Sequence, residues 1–274
     1  MILNKETLHT FDLKRFIVLD CRNVMDNKEK TLELIKEQPL ETAVHIPESP
    51  FMFTENGINN GRHPLPYKEQ VTSLHLALTS GGHELLLVSD AGSFYHTRLY
   101  YLFNLYGLKS YLYNGDFQDI KDTKESFARF NGSPKEVEGH TAEFKSDIFR
   151  SMSDVAAAVD NKENVLLIDV RTRERYLGIT EPIDFKKGHI PGAVNIPNTD
   201  IYTDGILNLH ALDHMLGQIK EYDEVFVYCG SGMSATPLFT LLYENGVNVK
   251  LYAGSFSEWI TDASNTVETK ENTL

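Results

Sequence analysis

The amino-acid sequence predicts an α/β protein with two similar halves, each a mainly parallel sheet with helices on both faces. Apolar runs of strand length alternate with helical patterns along the chain. In addition, the second half repeats, in the same order, short motifs that occur in the first half. Strands that alternate with helices pair in parallel, because each crossover helix returns the chain to the starting edge of the sheet.

Four apolar runs are the strongest predicted strands. They are "FIVLDC" (16–21), "ELLLVSD" (84–90), "VLLIDV" (165–170) and "EVFVYC" (224–229). Helical patterns lie between them, among which are "KEQVTSLHLALTSG" (68–81) and "LHALDHMLGQIKEY" (209–222). Two strands with an intervening helix in each half are what a parallel sheet requires.

The repeat is visible as residues matched at a constant offset. Pairs that lie 139 positions apart are Asp90 with Cys229, Gly107 with Gly246, and Gly115 with Gly254. Further upstream, "VLDCR" (18–22) resembles "LIDVR" (167–171) at an offset of 149. Several ordered matches of this kind indicate that the two halves share one fold.

The repeat predicts two domains, at residues 1–123 and 148–274, with a linker at 124–147. The linker stretch is polar, contains Gly and Pro, and shows no clear period. The second half then begins at "SMSDVAAAV" (151–159), whose serines and aspartate are typical of a helix N-terminus.

Composition narrows the classes of function. Of the 274 residues, 41% are hydrophobic, which is enough for full cores. The net charge of −13 argues against a nucleic acid or an anionic membrane as partner. The first residues lack the apolar core of a secretory signal, and no stretch approaches transmembrane length. Two cysteines without zinc-site spacing predict free thiols, no metal, and a cytoplasmic location.

The loop "CGSGMSA", which starts at Cys229, follows the last predicted core strand of the second half. Gly230 and Gly232 allow close backbone approach, and Ser231 and Ser234 add hydroxyl groups. The next helix directs the positive end of its dipole at this loop. Such a loop stabilises a thiolate or an anionic sulfur adduct, which favours a nucleophilic Cys229 over the alternative of a buried apolar cysteine.

A cysteine in a phosphate-binding loop is the other chemistry to consider. Phosphate ester hydrolysis uses the pattern Cys-x5-Arg, in which the arginine holds the phosphate in a bidentate grip. Here Ala235 stands six residues after Cys229. The sequence therefore argues against a phosphatase.

Four motifs of the second half resemble, in order, those of the rhodanese superfamily. They are "DVRTRERYLG" (169–178), "GHIPGAVNIP" (188–197), "CGSGMSA" (229–235) and "YAGSFSEW" (252–259). Together with the matching pieces of the first half, they make nearly the whole chain resemble a tandem-rhodanese sulfurtransferase. The resemblance implies two rhodanese-like domains, the second catalytic and the first without a cysteine, which agrees with Asp90 opposite Cys229.

The resemblance also implies an activity that needs no cofactor. Sulfane sulfur would pass from a small-molecule donor to a thiol acceptor, such as a small thiol or a thioredoxin-like protein, or to cyanide, through a persulfide on Cys229. "CGSG" is similar to the 3-mercaptopyruvate sulfurtransferase pattern, although Met233 and Ser234 replace the usual "VT". A thiosulfate-preferring enzyme, which typically has Arg and Lys in this loop, remains an alternative. So does a non-catalytic module that binds a partner or senses redox state.

The family pattern implies roles for further residues. Arg175 matches the substrate-gripping arginine, while Gly230, Gly232, Met233 and Ser234 would line the donor site. Ser231 and His63, the latter in "GRHPLPY", match a proposed proton relay.

Two positions depart from the family pattern. The acidic member of the relay falls on Glu55, or on Met52 if no gap is allowed. A second donor-binding arginine is missing between Arg175 and "GHIPG", where Lys186 and Lys187 stand instead. By contrast, Arg171 is expected to form a structural ion pair with Asp169.

Overall fold

The computed structural model describes residues 1–123, 126–130, 132, 142–161 and 164–274. Contacts divide the chain into two compact units. The first unit comprises Met1–Thr54, Pro66–Lys145 and Asp204–Ile206, and the second comprises Glu55–Leu65, Ser146–Thr203 and Leu207–Leu274. Residues 133–141 and some others of the predicted linker lie outside the described residues, so the domain boundaries drawn from the sequence stay a prediction.

The first unit is built on a five-stranded parallel sheet in the order β1-β5-β4-β2-β3. Its strands are β1 (Ile2–Leu3), β2 (Phe16–Asp20), β3 (Val44–His45), β4 (Glu84–Val88) and β5 (Tyr111–Tyr113). Its helices are α1 (Lys5–Leu8), α2 (Lys28–Glu37), α3 (Glu48–Phe51), α4 (Lys68–Thr79), α5 (Tyr95–Leu105) and α6 (Phe117–Lys121). Every residue of β2 is buried, as expected for a strand covered on both faces.

The second unit contains a parallel sheet of the same topology, in the order β6-β12-β11-β7-β8. The strands of this half of the chain are β6 (Phe149–Arg150), β7 (Val165–Asp169), β8 (Val194–Asn195), the short pair β9 (Tyr202–Thr203) and β10 (Ile206–Leu207), β11 (Glu224–Tyr228) and β12 (Val249–Tyr252). Its helices are α7 (Met152–Asn161), α8 (Arg173–Tyr176), α9 (Leu216–Ile219), α10 (Thr236–Glu244) and α11 (Ser255–Trp259).

The predicted α/β architecture with two parallel, helix-flanked sheets is confirmed. The four apolar runs form β2, β4, β7 and β11, which are the central strands of the two sheets. The helix predicted at 68–81 is α4, and α7 begins at a capping box in which the N–H of Ser151 donates to Asp154 at 2.8 Å.

The helix predicted at 209–222 is wrong for most of its length, because only α9 is helical there. The preceding residues form successive turns closed by bonds to the third residue back, such as Asp213 N to His210 O at 3.1 Å. The Asn208 side chain accepts from the N–H of His210 at 3.0 Å. Asn and Asp side chains that bond nearby backbone groups compete with the helix in this way.

The topology brings the loop after β11 to the carboxyl edge of its sheet. Tyr228, the last residue of β11, is in register with Asp169, the last residue of β7. In open parallel sheets, ligands bind outside the carboxyl ends of the strands. Cys229, the next residue, therefore stands at the edge where a substrate site is expected. Within the described ranges, no helix is both long enough and apolar enough to cross a membrane.

Candidate active site

The loop after β11 folds back onto its own sulfur. Cys229 is 1% exposed, and its Sγ accepts a hydrogen bond from the backbone N–H of Gly232 at 3.1 Å. Gly232 has a φ of +78°, and a Cβ there would lie 2.1 Å from the carbonyl oxygen of Ala253. Only glycine fits this turn. The turn thus gives the sulfur a backbone donor, which is the kind of partner that stabilises a sulfur anion.

Ser255, the first residue of α11, supports the cysteine from the other side. Its Oγ accepts from the N–H of Cys229 at 3.2 Å, lies 4.0 Å from the Sγ, and donates to the carbonyl of Tyr252 at 2.9 Å. Its φ of +55° lies in the left-handed region, which few residues other than glycine adopt. The sequence analysis did not single out Ser255, although it belongs to the motif "YAGSFSEW".

His63 and Ser231, predicted as a proton-relay pair, are brought together. The Nδ1 of His63 lies 2.7 Å from the Oγ of Ser231, and both residues are buried. His63 belongs to the segment Glu55–Leu65, which groups with the second unit. Of the two ring nitrogens of His63, Nδ1 is the one directed at the hydroxyl of the cysteine loop.

The segment that carries His63 is attached to α11. The N–H of Arg62 donates to the Oγ of Ser257 at 3.1 Å, and the N–H of Asn60 donates to a carboxylate oxygen of Glu258 at 2.8 Å. Since α11 also supports the cysteine loop through Ser255, one short helix positions both parts of the site.

Arg175, on α8, lies beside the cysteine loop but is held by two carboxylates. Its Nε and Nη2 donate to Glu181 at 3.1 and 2.9 Å, and its Nη2 also donates to Asp184 at 3.1 Å. A Cβ on Gly230 would lie 3.5 Å from Nη2 and 3.6 Å from Nη1 of this arginine. Burial by itself would raise the pKa of Glu181, but the hydrogen bonds from Arg175 and from backbone N–H groups hold that pKa below its usual value.

A second arginine, which the sequence analysis missed, shares Asp184 with Arg175. Nη1 of Arg62 contacts Oδ1 of Asp184, while Oδ2 accepts from Arg175. A Cβ on Gly230 would lie 2.7 Å from Nη2 of Arg62. The Asp184 side chain is 3% exposed. Its burial raises the pKa of Asp184 although both arginines act to lower it.

The two lysines that stand in the place of the missing family arginine point elsewhere. Nζ of Lys186 lies 3.5 Å from the carbonyl oxygen of Asn265, and Lys187 is exposed. The second guanidinium beside Gly230 comes instead from the residue before His63. Its position next to the histidine motif is the one feature of the sequence that could have indicated it.

The expected ion pair of Arg171 with Asp169 is confirmed. Nη2 of Arg171 donates to Asp169 at 2.6 Å and to the carbonyl of Gly188 at 2.6 Å, and its guanidinium lies 4.0 Å from the centroid of the Phe256 ring. Both charged side chains are buried. Burial opposes the charged form, yet Asp169 raises the pKa of Arg171 above its usual value. This pair stabilises the sheet edge on which the cysteine loop stands.

The remaining predicted residues take the following positions. Met233 is buried at 1% exposure, and the carbonyl of Ser234 accepts from the side-chain amide of Asn198. Glu55, one candidate for the acidic member of the relay, is exposed. Cys21 is fully buried, and its burial raises the pKa of this thiol well above its usual value, so it is suited to packing rather than to chemistry.

Comparisons with known proteins indicate which family the chain resembles. Residues 151–262 match the profile of the rhodanese-like domain family. The chain is 29% identical to a probable 3-mercaptopyruvate sulfurtransferase of Pseudomonas aeruginosa, in an alignment of 280 positions that covers 92% of each protein. It is 29% identical to the 3-mercaptopyruvate sulfurtransferase of Escherichia coli, over 82% of this chain and 83% of that protein. A putative thiosulfate sulfurtransferase of Mycobacterium tuberculosis is 40% identical over 110 residues, 38% of each chain.

Solved structures share the fold of the whole chain. The 3-mercaptopyruvate sulfurtransferase SseA from Escherichia coli superposes with a TM-score of 0.72 at 22% identity, covering 94% of this chain and 99% of that one. Tum1 from Saccharomyces cerevisiae gives a TM-score of 0.77 at 18% identity, covering 98% of both chains. The two parallel sheets are therefore those of the tandem rhodanese fold. Residues 151–262 thus form a rhodanese-like domain, and the chain as a whole is similar to tandem-domain sulfurtransferases.

Proposed function

We propose that this chain moves sulfane sulfur from 3-mercaptopyruvate to a thiol acceptor through a persulfide on Cys229. The observation that carries the proposal is that one loop contains both a cysteine whose sulfur accepts a backbone hydrogen bond and a serine that contacts a histidine. The Cys229 sulfur meets the N–H of Gly232 at 3.1 Å, and the neighbouring Ser231 hydroxyl meets His63 at 2.7 Å. A sulfur held by a backbone donor, next to a pair that can pass a proton, suits nucleophilic sulfur transfer.

In the first half-reaction, the Cys229 thiolate attacks the thiol sulfur of the donor. A sulfur–sulfur bond forms, the carbon–sulfur bond breaks, and the electron pair leaves on pyruvate enolate. The enolate carbon takes up the proton that the donor thiol brought, so the products are pyruvate and an anionic persulfide. The N–H of Gly232 would stabilise that persulfide as it does the thiolate.

Ser231 and His63 are the proposed path for this proton. Transfer of the thiol proton to the enolate carbon requires a donor and acceptor next to the reacting sulfur. The Ser231 hydroxyl lies two residues after Cys229 in the same loop, and His63 can hold the proton on its ring. Thiosulfate needs no such step, because sulfite departs without a proton.

The charge of the loop favours 3-mercaptopyruvate as donor. The seven residues of "CGSGMSA" carry no basic side chain. A thiosulfate dianion gains more from fixed positive charge than does a donor with one carboxylate away from the sulfur. Arg175, which lies beside Gly230, is the proposed partner of that carboxylate.

In the second half-reaction, an acceptor thiolate attacks the outer sulfur of the persulfide and regenerates the Cys229 thiolate. The acceptor is a small thiol or a thioredoxin-like protein, and cyanide serves in an assay. A reducing, cytoplasmic setting would supply such thiols. The reaction needs no metal or organic cofactor.

Mass spectrometry after incubation with 3-mercaptopyruvate tests the proposal. We expect a gain of one sulfur atom that maps to Cys229 and is absent from Cys229→Ser. Cys21 is the internal control, because its burial raises the pKa of this thiol and so disfavours the thiolate that attacks the donor. Sulfur on Cys21, or on neither cysteine, would contradict the proposed mechanism.

Thiosulfate is the second candidate donor. It is favoured by the match of 40% identity over 110 residues to a protein named as a putative thiosulfate sulfurtransferase. Steady-state rates with both donors, measured on the same preparation, distinguish the two. We expect the higher kcat/KM with 3-mercaptopyruvate. Transfer from neither donor would instead favour a non-catalytic module.

A further inference from the structure

We infer that Arg62 is a second donor-binding residue, which holds the donor carboxylate together with Arg175, and that Asp184 sets the donor preference by cancelling part of their charge. This inference rests on the proposed function. It assigns the place of the missing family arginine to a residue from the segment that carries His63, rather than to Lys186 or Lys187.

The first argument is the geometry of the two guanidinium groups. Asp184 accepts one contact from each arginine, at Oδ1 from Arg62 and at Oδ2 from Arg175. Arg175 further donates from Nε and Nη2 to Glu181. Nη2 of Arg62 and Nη1 of Arg175 are directed toward Gly230, at 2.7 and 3.6 Å from the point that a Cβ would occupy. The space left by the missing side chain is thus flanked by two cations.

The second argument is the match with the donor. Gly230 directly follows Cys229, so the two Cα atoms are about 3.8 Å apart. In 3-mercaptopyruvate, two carbon atoms separate the thiol sulfur from the carboxylate carbon. A donor whose sulfur reaches Cys229 can therefore place its carboxylate over Gly230. There, one N–H of Arg62 and one N–H of Arg175 can each donate to an oxygen of the donor carboxylate.

The third argument is charge balance. Arg62 and Arg175 are joined by a third cation, Arg171, which also donates to Glu181 at 3.2 Å. Three carboxylates, those of Glu181, Asp184 and Asp169, balance the three positive charges. The cluster therefore binds an anion by directed N–H groups rather than by net positive charge. Because the carboxylates offset the arginine charges, the second negative charge of a dianion gains little extra attraction from the cluster. Asp184 thereby selects against thiosulfate.

Arg62→Gln is the first test, with Arg173→Gln as matched control. Arg173 lies on α8 near Arg175 but is exposed and paired with Glu271 at 2.6 Å. We expect Arg62→Gln to raise the KM for 3-mercaptopyruvate by about 10- to 100-fold, the scale of hydrogen bonds to charged groups. The kcat should stay within about threefold, and the inhibition constant of pyruvate should rise in parallel with KM. The control variant should change neither quantity.

Two further variants sharpen the test. Arg62→Lys keeps the charge but not the planar fork, so an increase in KM of about three- to tenfold is expected. This variant also serves if Arg62→Gln does not fold. Asp184→Asn removes one negative charge at nearly constant size. It should raise the ratio of kcat/KM for thiosulfate over 3-mercaptopyruvate by about tenfold.

The outcomes separate this inference from the proposed function. If the wild-type chain forms a persulfide on Cys229 while Arg62→Gln and Arg62→Lys behave like Arg173→Gln, only the role of Arg62 is overturned. A loss of kcat with both donors at unchanged KM would also overturn it, since Arg62 would then merely position the His63 segment. If the wild-type chain takes sulfur from neither donor, the proposed function itself fails.

Discussion

The loops that follow β4 and β11 occupy the same place in two sheets of identical topology, yet matched positions in and around them differ in charge. At the constant offset of 139, Asp90 stands opposite Cys229, and Asp116 stands opposite Ser255. Both members of the second pair, Asp116 and Ser255, support the loop of their own unit. Asp116 accepts from the N–H of Ala91 at 3.0 Å, and Ser255 accepts from the N–H of Cys229 at 3.2 Å.

The difference lies in charge. Burial raises the pKa of Asp90, an effect that Asp116 and Asp20 add to and that Arg22 opposes. A loop with carboxylates at both positions repels an anionic sulfur. At the upstream offset of 149, Asp26 falls opposite Arg175, so the first unit also has an acidic residue where the second has an arginine. The comparison teaches that the two loops differ in charge at three matched positions.

What the two units share is the support beneath the loop. Arg22 pairs with Asp20 at 2.7 Å and lies 3.4 Å from the centroid of the Phe117 ring. Arg171 pairs with Asp169 at 2.6 Å and lies 4.0 Å from the centroid of the Phe256 ring. This arrangement of Arg, Asp and Phe occurs both in the unit that contains Cys229 and in the unit that has Asp90 at that position. It therefore belongs to the fold and not to the chemistry.

Exchanging the residues at the nucleophile position should have the largest effect. Cys229→Asp, which installs the residue of the first unit, is expected to lower sulfur transfer by more than about 10⁴-fold, since the covalent carrier is lost. The reciprocal Asp90→Cys should acquire no persulfide, because Asp116 and Asp26 remain. Both results are measured by donor-dependent sulfur release and by mass spectrometry. Labelling of the new cysteine by 3-mercaptopyruvate would break the comparison.

The next largest effect is expected from Ser255→Asp, which gives the second unit the aspartate that the first unit has at position 116. Its carboxylate would lie about as close to the sulfur as the Ser255 Oγ does now, at 4.0 Å. Repulsion at this distance should lower kcat/KM with either donor by about 100-fold. Ser255→Asn is the matched control, since it has the same shape without the charge and tolerates a left-handed φ. Equal losses in both variants would show that packing, not charge, distinguishes the two loops.

His63 sharpens the comparison in a different way. His63→Asn should lower kcat with 3-mercaptopyruvate by about 100-fold, because proton transfer to the enolate is slowed. With thiosulfate the change should stay below about threefold, because sulfite leaves without a proton. His210→Asn, at a highly exposed position, serves as control. A uniform loss with both donors would assign His63 to loop positioning instead of proton transfer.

The smallest effect is expected for the two buried ion pairs, Arg171 with Asp169 and Arg22 with Asp20. Arg171→Lys and Arg22→Lys should each lower the free energy of unfolding by about 2 kcal/mol, because lysine keeps the charge but loses the bidentate bond to its buried aspartate. Denaturant unfolding measures both, with the exposed Arg173→Lys as a control expected within about 0.5 kcal/mol. Unequal costs at positions 22 and 171 would contradict a common structural role.

Sequence patterns alone predicted the central strands and their parallel arrangement, because runs such as β7 and β11 are apolar on both faces. The interval 209–222 shows the limit. Its apolar residues suggest a helix, but the side chains of Asn208 and His210 take part in local turns instead. Competition between side-chain and backbone hydrogen bonds depends on geometry that a periodic pattern does not contain.

The candidate site likewise has a part that the sequence predicted and a part that it did not. Cys229 and the small residues after it are contiguous, so their chemistry is visible in the sequence. Arg62 and Asp184 are separated by 122 positions, and Ser255 lies 26 positions after Cys229. Only a family motif, and no spacing rule, brought His63 together with Ser231, which lies 168 positions later.

The sequence by itself determined the duplicated α/β fold, the aspartate at position 90 opposite Cys229, and the run of small residues after that cysteine. Local composition decides these features, since strand apolarity and glycine spacing act over a few residues. The tertiary structure alone decided which charged side chains surround that loop. Arginine and aspartate side chains are long and flexible, and the packing of α11 and of the segment 55–65 selects their partners. The charged surroundings of the cysteine loop are therefore a property of chain segments far apart in sequence.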